Sequence, residues 1–214
     1  MPLSSVQNAE DSARSIEKMK IILASQSPQR KALLEEAGFH PTIIISNADE
    51  VEPKDGDVSD VESACCINAE KKAKKILSQI SNNDADFLIA ADSLVVVPGV
   101  MTAGKPKTIA QAHEMFQIFA EKEILAISGV HLIDLKTGKG KTFFETSKIV
   151  MNSLSFDERD ALFERVTPLN KAGGFSIALM PELIKSIEGS RSNIEGLPME
   201  RIKLEMQKII EARP

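Results

Sequence analysis

The stretch IILASQSPQRKALLEEAG, residues 21–38, changes its pattern halfway along and decides how the fold begins. Four apolar residues open it as a strand, and after a serine-rich turn the apolar residues return at the spacing of a helix. Ser27 is a favourable N-cap, Pro28 suits the first helical position, and Gly38 is a natural stop. The stretch therefore predicts a buried strand, a tight turn and a helix.

The turn between that strand and that helix is a candidate anion-binding site. The first N–H groups of a helix lack partners within the helix, and the hydroxyl groups of Ser25 and Ser27 would add donors beside them. Arg30 lies in the first helical turn, where the positive end of the dipole disfavours a cation unless an anion is bound. A plain Ser-Pro cap beside a solvated arginine explains these residues equally well, so both interpretations stay open.

Beyond residue 38 the sequence predicts further strands and helices. The predicted strands are 41–46, the apolar run inside DADFLIAADSLVVVPG (84–99), 124–135 and 141–151. Capping boxes and one proline predict the helix starts, which are Ser59 with Glu62, Thr108 with Gln111, Ser155 with Glu158, and Pro198. Because helices separate some strands while others pair directly, we expect an α/β fold with a mixed sheet and a ligand groove between two lobes.

Length and composition describe an ordinary globular chain. With 214 residues, 43% of them hydrophobic, we expect residues 1–19 to form an extension and residues 20–214 to form a single α/β domain. The net charge of −5 argues against attraction of the whole surface to a nucleic-acid polymer or an acidic membrane. No apolar run approaches the ~20 residues that span a bilayer, and no secretory signal is evident. A cytoplasmic location is therefore predicted.

The cysteines and histidines give no sign of a metal site. Cys65 and Cys66 are adjacent inside a helical pattern, which makes them poor disulfide partners and poor metal ligands, so a packing role is predicted. The three histidines, His40, His113 and His131, show no ligand spacing, and no role is assigned to them.

Two acidic residues are candidates for metal binding. Asp92 has apolar neighbours on both sides, and a carboxylate there needs a metal, a cation or a hydrogen-bond donor to offset its desolvation. Glu50 belongs to an acidic cluster with Asp49 and Glu52, and such clusters are usually solvated. A structural aspartate in a bend would explain Asp92 alone. If Asp92 and Glu50 converge, however, they make an oxygen site suited to Mg²⁺ or Mn²⁺.

Two lysines are candidates for phosphate contacts. Lys72 lies in the run KKAKK on a predicted helix and is a surface charge unless its face meets the groove. Lys105 lies in GKP, where the glycine and the proline fix the backbone on both sides. A flexible lysine on a rigid turn can reach a phosphate.

A set of motifs resembles the Maf family of nucleoside triphosphate pyrophosphatases in order and spacing, from residue 20 to about residue 205. In chain order the motifs are ASQSPQRKALLEEAG, NAEKKAKKI, AADSLVVV, GKP, SGV, KAGGF and EGSRSNIEGLP. The resemblance implies a two-lobed α/β fold similar to that of the inosine triphosphatases, often dimeric. It also implies metal-dependent cleavage of a nucleoside triphosphate to the monophosphate and pyrophosphate.

The resemblance further implies roles for individual residues. The phosphate-binding turn of the family is matched by Ser25, Ser27 and Arg30. The catalytic set comprises an acidic loop residue, a helix lysine, the proton-accepting aspartate and the lysine of the GKP-like turn, matched by Glu50, Lys72, Asp92 and Lys105. In the closing motif we expect structural roles first, for Asn193, Gly196 and Pro198.

Three positions depart from the family patterns, and they bear on base selectivity. Gln29 replaces the first arginine of the usual Ser-Pro-Arg-Arg. Ser93 stands where members acting on dTTP and UTP typically have threonine, and Ala178 where they have glutamine. Members acting on 7-methyl-GTP resemble a Trp, Gln, Glu pattern at these places, which does not match either. We therefore expect activity on pyrimidine triphosphates with a broader range than is typical of dTTP/UTP members, and a modified nucleoside triphosphate stays open as the alternative substrate.

Together these inferences predict a metal-dependent pyrophosphatase. Glu50 and Asp92 would hold Mg²⁺ or Mn²⁺, and Asp92 would also orient or deprotonate the attacking water. Arg30, Lys72 and Lys105 would neutralise the triphosphate. The alternative is a non-catalytic nucleotide-binding regulator of cell division. We expect neither a nucleic-acid polymer nor a membrane as partner, and a homodimer is compatible with the sequence.

Overall fold

The computed structural model describes residues 18–81, 84–120, 122–169 and 171–213. All but the last two residues of the predicted extension 1–19 lie outside the described part. In chain order the described elements are β1 (Ile21–Ala24), α1 (Pro28–Glu36), β2 (Thr42–Ile43), α2 (Val58–Leu77), β3 (Phe87–Val97), β4 (Met101–Ala103), α3 (Ile109–Phe119), β5 (Glu123–Asp134), β6 (Gly140–Met151), α4 (Phe156–Arg165), β7 (Ile184–Glu188), α5 (Arg191–Ile194) and α6 (Met199–Glu211).

All seven strands belong to one mixed sheet, in which β4 pairs with part of β3 and the others follow the order β2-β1-β3-β5-β6-β7. Strand β1 lies parallel to β2 and to β3, with Ile21 opposite Phe87. The pairs β3–β5, β5–β6 and β6–β7 are antiparallel. The predicted mixed sheet with flanking helices is confirmed, whereas its division into two lobes stays a prediction.

Helices cover both faces of this sheet. On β3, Phe87 and Ile89 pack with side chains of α1 and α6, while Leu88 and Ala90 pack on the opposite face with side chains of α2. The far end of β3 packs in a third group with α3 and α4. Asp92 follows these positions in the middle of the strand, where the packing changes from α1 and α6 to α3 and α4.

Helix α2 begins one residue after Asp57, which is earlier than the sequence predicts. The side chain of Asp57 accepts a hydrogen bond from the N–H of Asp60, so the predicted box of Ser59 with Glu62 is wrong. Aspartate and serine are comparable caps, so two candidates two residues apart competed and the earlier one caps the helix.

Two other helix starts agree more closely with the capping boxes that the sequence predicts. The box of Ser155 with Glu158 is complete, because each residue hydrogen-bonds the other's backbone N–H. Thr108 caps α3, but the Gln111 side chain accepts from the N–H of Lys107, so only half of that box forms.

The predicted strand 41–46 is shortened to Thr42–Ile43. The N–H of Ile44 still donates to Leu23, but Ile45 is 50% exposed and Asn47 has a left-handed φ of 44°. The chain therefore leaves the sheet after two paired residues. β2 is an edge strand, and the exposure of Ile43 and Ile45 shows that the predicted apolar run is only partly buried.

Cys65 has the packing role predicted for it. Its side chain is buried among Val61, Val96 and Ile127, and burial raises the pKa of its thiol to about 12.

Among the described helices, none combines the length and the apolar character that crossing a bilayer requires.

Candidate active site

A groove of about 890 Å³ lies between the end of β1, the middle of β3 and the loops after β2, β4 and α4. Nine of the ten residues singled out by the sequence line this groove, namely Ser25, Ser27, Gln29, Arg30, Glu50, Lys72, Asp92, Ser93 and Lys105. Ala178 is the exception. It is exposed on a turn whose neighbouring Ile177 is buried in the core, and Phe175 and Ser176 line the groove instead. Ala178 thus lies outside the groove lining, and its influence on base selectivity stays a prediction.

Asp92 lines the groove with both carboxylate oxygens hydrogen-bonded, and its side chain is 12% exposed. Its Oδ1 accepts a hydrogen bond from Lys72 Nζ at 2.6 Å, and its Oδ2 accepts one from Asn68 Nδ2 at 2.9 Å. Burial would raise the pKa of Asp92, but Lys72, the Asn68 amide and Arg30 outweigh burial and lower that pKa below its ordinary value. Asp92 is therefore ionised at neutral pH.

Lys72 connects Asp92 to Glu50. Its ammonium nitrogen lies 2.6 Å from Asp92 Oδ1 and 2.6 Å from Glu50 Oε1, although the two acids come from different segments. The Lys72 side chain is only 11% exposed, so its helix face does meet the groove. The two carboxylates therefore lie on either side of one ammonium group, and their role as metal ligands stays a prediction.

Two further lysines of the run on α2 contact the loop that carries Glu50. Lys71 donates to the carbonyl oxygen of Asp49, and Lys75 donates to that of Asn47. These lysines are exposed, so each contact is worth little alone, but together they hold the loop along one face of the helix.

Asn68 is a site residue that sequence reasoning missed. It is 2% exposed, and besides donating to Asp92 it donates to the carbonyl of Val51 at 3.1 Å and accepts from the N–H of Val51 at 2.7 Å. A sequence signal existed, because Asn68 shares the apolar face of α2 with Cys65 and Ala69. A polar residue on such a face needs buried partners.

The turn before α1 has the predicted cap. Ser27 Oγ accepts from the N–H of Arg30 and donates to Gln29 Oε1, and Ser25 Oγ accepts from the N–H of Ser27. Gln29 lines the groove, and among the described residues no acceptor is found for its backbone N–H. The turn therefore keeps one donor of the helix start for a ligand.

Arg30 chiefly joins separate segments of the chain. Its Nε donates to the Gly196 carbonyl, Nη1 to Ala91 and Ser25, and Nη2 to Ser93, at distances of 2.8 to 3.2 Å. Four of the five N–H groups of the guanidinium are thus used within the protein. Burial lowers the pKa of Arg30 below that of a free arginine. One N–H is left for the phosphate contact that the sequence predicts.

The closing motif has the structural role expected of it. Asn193 is 1% exposed, and its amide donates to the Ala126 carbonyl and to Ser147 Oγ. Ser93 Oγ lies 2.8 Å from Ser128 Oγ, and it also donates to the Gly196 carbonyl. The hydroxyl of Ser93 is therefore used within the protein. The influence of residue 93 on base selectivity stays a prediction.

Lys105 is the groove cation that is available to a ligand. It is exposed and forms no hydrogen bond or ion pair with another described residue. Lys171 also lines the groove, but it donates to the carbonyl of Thr167, and burial lowers its pKa. Glu195 also lines the groove, and burial raises the pKa of its carboxyl group.

The acidic groups fit a hard divalent cation. Glu50 and Asp92 already converge on one positive charge, and Mg²⁺ typically takes one or two carboxylates together with phosphate oxygens and water. In the described part of the chain, no group of three or more His, Cys, Asp or Glu could hold a metal ion. The protein therefore offers two carboxylates, and a bound phosphate would have to complete such a site.

The chain is similar to known proteins over most of its length. The model of the Maf-like protein family matches residues 20–209. A protein of Methanococcoides burtonii named dTTP/UTP pyrophosphatase is 32% identical over 185 residues, which cover 86% of this chain and 91% of the relative. A protein of the same name from Bacillus thuringiensis subsp. konkukian is 32% identical over 190 residues, covering 88% of this chain and 95% of the relative.

Proposed function

The chain belongs to the Maf-like protein family, and from this premise we propose that it is a nucleoside triphosphate pyrophosphatase. The reaction is hydrolysis of the α–β phosphoanhydride. Water forms a bond to the α-phosphorus and gives up a proton, the bond from that phosphorus to the bridging oxygen breaks, pyrophosphate leaves, and the nucleoside monophosphate is the other product. The observation that carries the proposal is the cluster of Asp92, Lys72 and Glu50 inside a groove wide enough for a nucleotide.

The groove offers several groups that suit a triphosphate. Lys105 is exposed and without a partner among the described residues, and the N–H of Gln29 lies at the positive end of α1. Lys72 adds a second positive charge at the bottom of the groove. These groups would neutralise phosphate oxygens as negative charge develops on the leaving pyrophosphate.

Asp92 is the proposed acceptor for the attacking water. Its carboxylate is ionised and held by hydrogen bonds at both oxygens, so it can accept a hydrogen bond from water in a fixed direction. Its lowered pKa makes it a weak base, which favours orienting the water over removing its proton early.

A divalent metal would be held by Glu50 and Asp92 and would supply charge neutralisation at the triphosphate and polarisation of a phosphoryl oxygen. Mg²⁺ and Mn²⁺ both suit carboxylate ligands. Lys72 already binds both acids, so it would share them with that ion or release one of them.

The proposed substrates are pyrimidine nucleoside triphosphates, because two relatives at 32% identity are named dTTP/UTP pyrophosphatase. The changed residue at the turn, Gln29, keeps a polar amide but lacks charge. We therefore propose a wider substrate range than that of members with arginine at this position.

The test is pyrophosphate release from dTTP, UTP, CTP, the purine triphosphates and 7-methyl-GTP, each with Mg²⁺ or Mn²⁺. We expect the fastest turnover with dTTP or UTP. Asp92→Asn should lower kcat about a hundredfold or more, the scale of a positioned acid or base. Asp86→Asn is the matched control, because Asp86 binds Lys136 and Lys20 outside the groove. Nucleotide binding without any pyrophosphate release would instead support a non-catalytic regulator.

A further inference from the structure

We propose that Asn68 is a positioning residue that sets Asp92 and the loop carrying Glu50 relative to each other. The inference rests on the proposed function, since it assigns Asn68 to the same reaction. Asn68 would not touch the substrate. It would act by holding one oxygen of Asp92 and the backbone of Val51 at the same time.

The contacts of Asn68 use both ends of its amide. Nδ2 donates to Asp92 Oδ2 at 2.9 Å and to the Val51 carbonyl at 3.1 Å, while Oδ1 accepts from the Val51 N–H at 2.7 Å. Val51 directly follows Glu50 in the chain. One side chain therefore fixes the carboxylate on β3 and the backbone next to the carboxylate on the loop.

The contact with Lys72 cannot fix Asp92 alone. Lys72 holds only Oδ1, and a flexible ammonium is a point charge that tolerates rotation of the carboxylate around it. The bond from Asn68 to Oδ2 supplies a second point and therefore an orientation. Asp92 and Asn68 are both buried, at 8% and 2% exposure, so water is a poor replacement for this bond.

Packing alone would not call for asparagine at this position. An apolar side chain of similar size would fill the same space on α2, and a buried amide is costly unless it is hydrogen-bonded. Removal of the amide would leave Asp92 Oδ2 and the Val51 backbone without their partners. We therefore expect the loss to appear in turnover, because misplacement of a reacting group by a small distance costs rate.

The first experiment compares Asn68→Ala with Asn68→Asp in steady-state pyrophosphate release from dTTP or UTP. Aspartate keeps the shape of asparagine and an acceptor for the Val51 N–H, but it cannot donate to Asp92 and it repels that carboxylate. A positioning role predicts that both variants lose kcat by about 10- to 100-fold, with KM changed less than about threefold and Asp at least as impaired as Ala. A space-filling role predicts that Asp, the isostere, is the milder variant, and this order would overturn the proposal.

Cys65→Ala is the matched control for lost packing. It lies three residues earlier on the same buried face of α2, donates to the Ile127 carbonyl rather than to Asp92, and does not itself line the groove. We expect a lower melting temperature and a kcat within about twofold of the native value at 25 °C. An equal loss of kcat in Cys65→Ala would show that any loosening of α2 is enough, and the specific role of Asn68 would be rejected.

A second experiment asks whether Asn68 acts through Asp92. In an Asp92→Asn background, Asn68→Ala should lower the residual kcat by less than about twofold, since residues that act as a unit are not additive. Equal losses in both backgrounds would contradict the proposal.

The native protein, assayed alongside, separates this inference from the proposed function. A native protein that releases no pyrophosphate from any triphosphate overturns the function, whereas an active one with unchanged Asn68 variants overturns only the role of Asn68. In either case, urea unfolding tests the Asn68–Asp92 contact without substrate. The proteins compared are Asn68→Ala, Asp92→Asn and the double variant that carries both changes. Non-additive shifts of the midpoint support the contact, and additive shifts count against it.

Discussion

Gly129 on β5 and Cys65 on α2 are in direct backbone contact: a Cβ atom added to Gly129 would lie 2.3 Å from the carbonyl carbon of Cys65. Gly129 is also the residue paired with Asp92 across the β3–β5 ladder. The absence of a side chain at Gly129 therefore decides how closely α2, with Asn68 and Lys72, approaches Asp92.

Gly129→Ala should lower both stability and turnover. The added methyl group overlaps backbone atoms that cannot rotate away, so we expect a loss of about 3 kcal/mol or more in the free energy of unfolding. Lifting α2 from the sheet should also reduce kcat, because Lys72 and Asn68 move with the helix. Urea unfolding and steady-state kinetics measure the two effects. Gly104→Ala, which has open space around its Cβ, is the stability control and should change little.

Lys105→Ala should weaken substrate binding without weakening the fold. The exposed ammonium has no partner among the described residues, so the free energy of unfolding should stay within about 0.5 kcal/mol of the native value. Affinity for a non-hydrolysable triphosphate analogue, measured by calorimetry, should fall about tenfold. Lys107→Ala is the control, being exposed and outside the groove lining. Equal affinities in the two variants would remove Lys105 from the site.

Gln29→Arg should strengthen triphosphate binding. Gln29 lines the groove at the start of α1, and an arginine there adds a charge that can bind phosphate oxygens. We expect KM for dTTP or UTP to fall several-fold, about the effect of one charge-assisted hydrogen bond. Ala178→Gln, on the exposed turn, should change neither KM nor the ranking of substrates. A changed ranking in Ala178→Gln would mean that this turn reaches the base after all.

Glu205→Gln should cost stability at neutral pH and little in acid. The carboxylate on α6 is completely buried beneath Lys141, Arg201 and Lys208. Burial would raise the pKa of Glu205, but Lys141 and Lys208 outweigh it and lower that pKa. A carboxylate with a lowered pKa stabilises the fold above its unfolded pKa, and this contribution is lost as pH falls through the folded pKa.

The expected loss for Glu205→Gln is about 2 kcal/mol at pH 7, the scale of hydrogen bonds to a charged group. Urea unfolding at pH 7, 5 and 3 should show the difference between native and variant proteins shrinking toward the lowest pH. A difference that stays constant over this range would contradict the assignment of its origin to the charge.

Local chemistry explains why much of the fold could be predicted. The complete box at Ser155 and the cap at Ser27 depend on residues three positions apart, which a sequence displays directly. The early start at Asp57 and the short strand Thr42–Ile43 depend on competition between neighbours and on where the chain leaves the sheet. A short window of sequence shows both candidate caps but not which of them wins, and it does not show where a strand leaves the sheet.

The site was predictable where side-chain charge carried the information. Glu50, Lys72 and Asp92 were singled out by type and motif, and the structure brings them together. The partners of Arg30 were not predictable, because most are backbone carbonyls whose positions depend on the whole fold. Asn68 was missed although its position on an apolar helix face was visible.

The hydrogen bond from Arg30 to the carbonyl of Gly196 joins residues 166 positions apart, so it cannot form until almost the whole chain has left the ribosome. Strands β1 and β3 also pair residues far apart in the chain, Ile21 with Phe87, whereas β5 and β6 are joined by a short hairpin. Contacts between distant residues have the larger loop-closure cost, so we expect them to form later during refolding of the full chain. We therefore expect the groove to be among the last parts of the molecule to form. In refolding experiments, circular dichroism should recover before binding of a triphosphate analogue does, and simultaneous recovery would contradict this order. An incomplete nascent chain would then be unable to sequester cellular nucleotides.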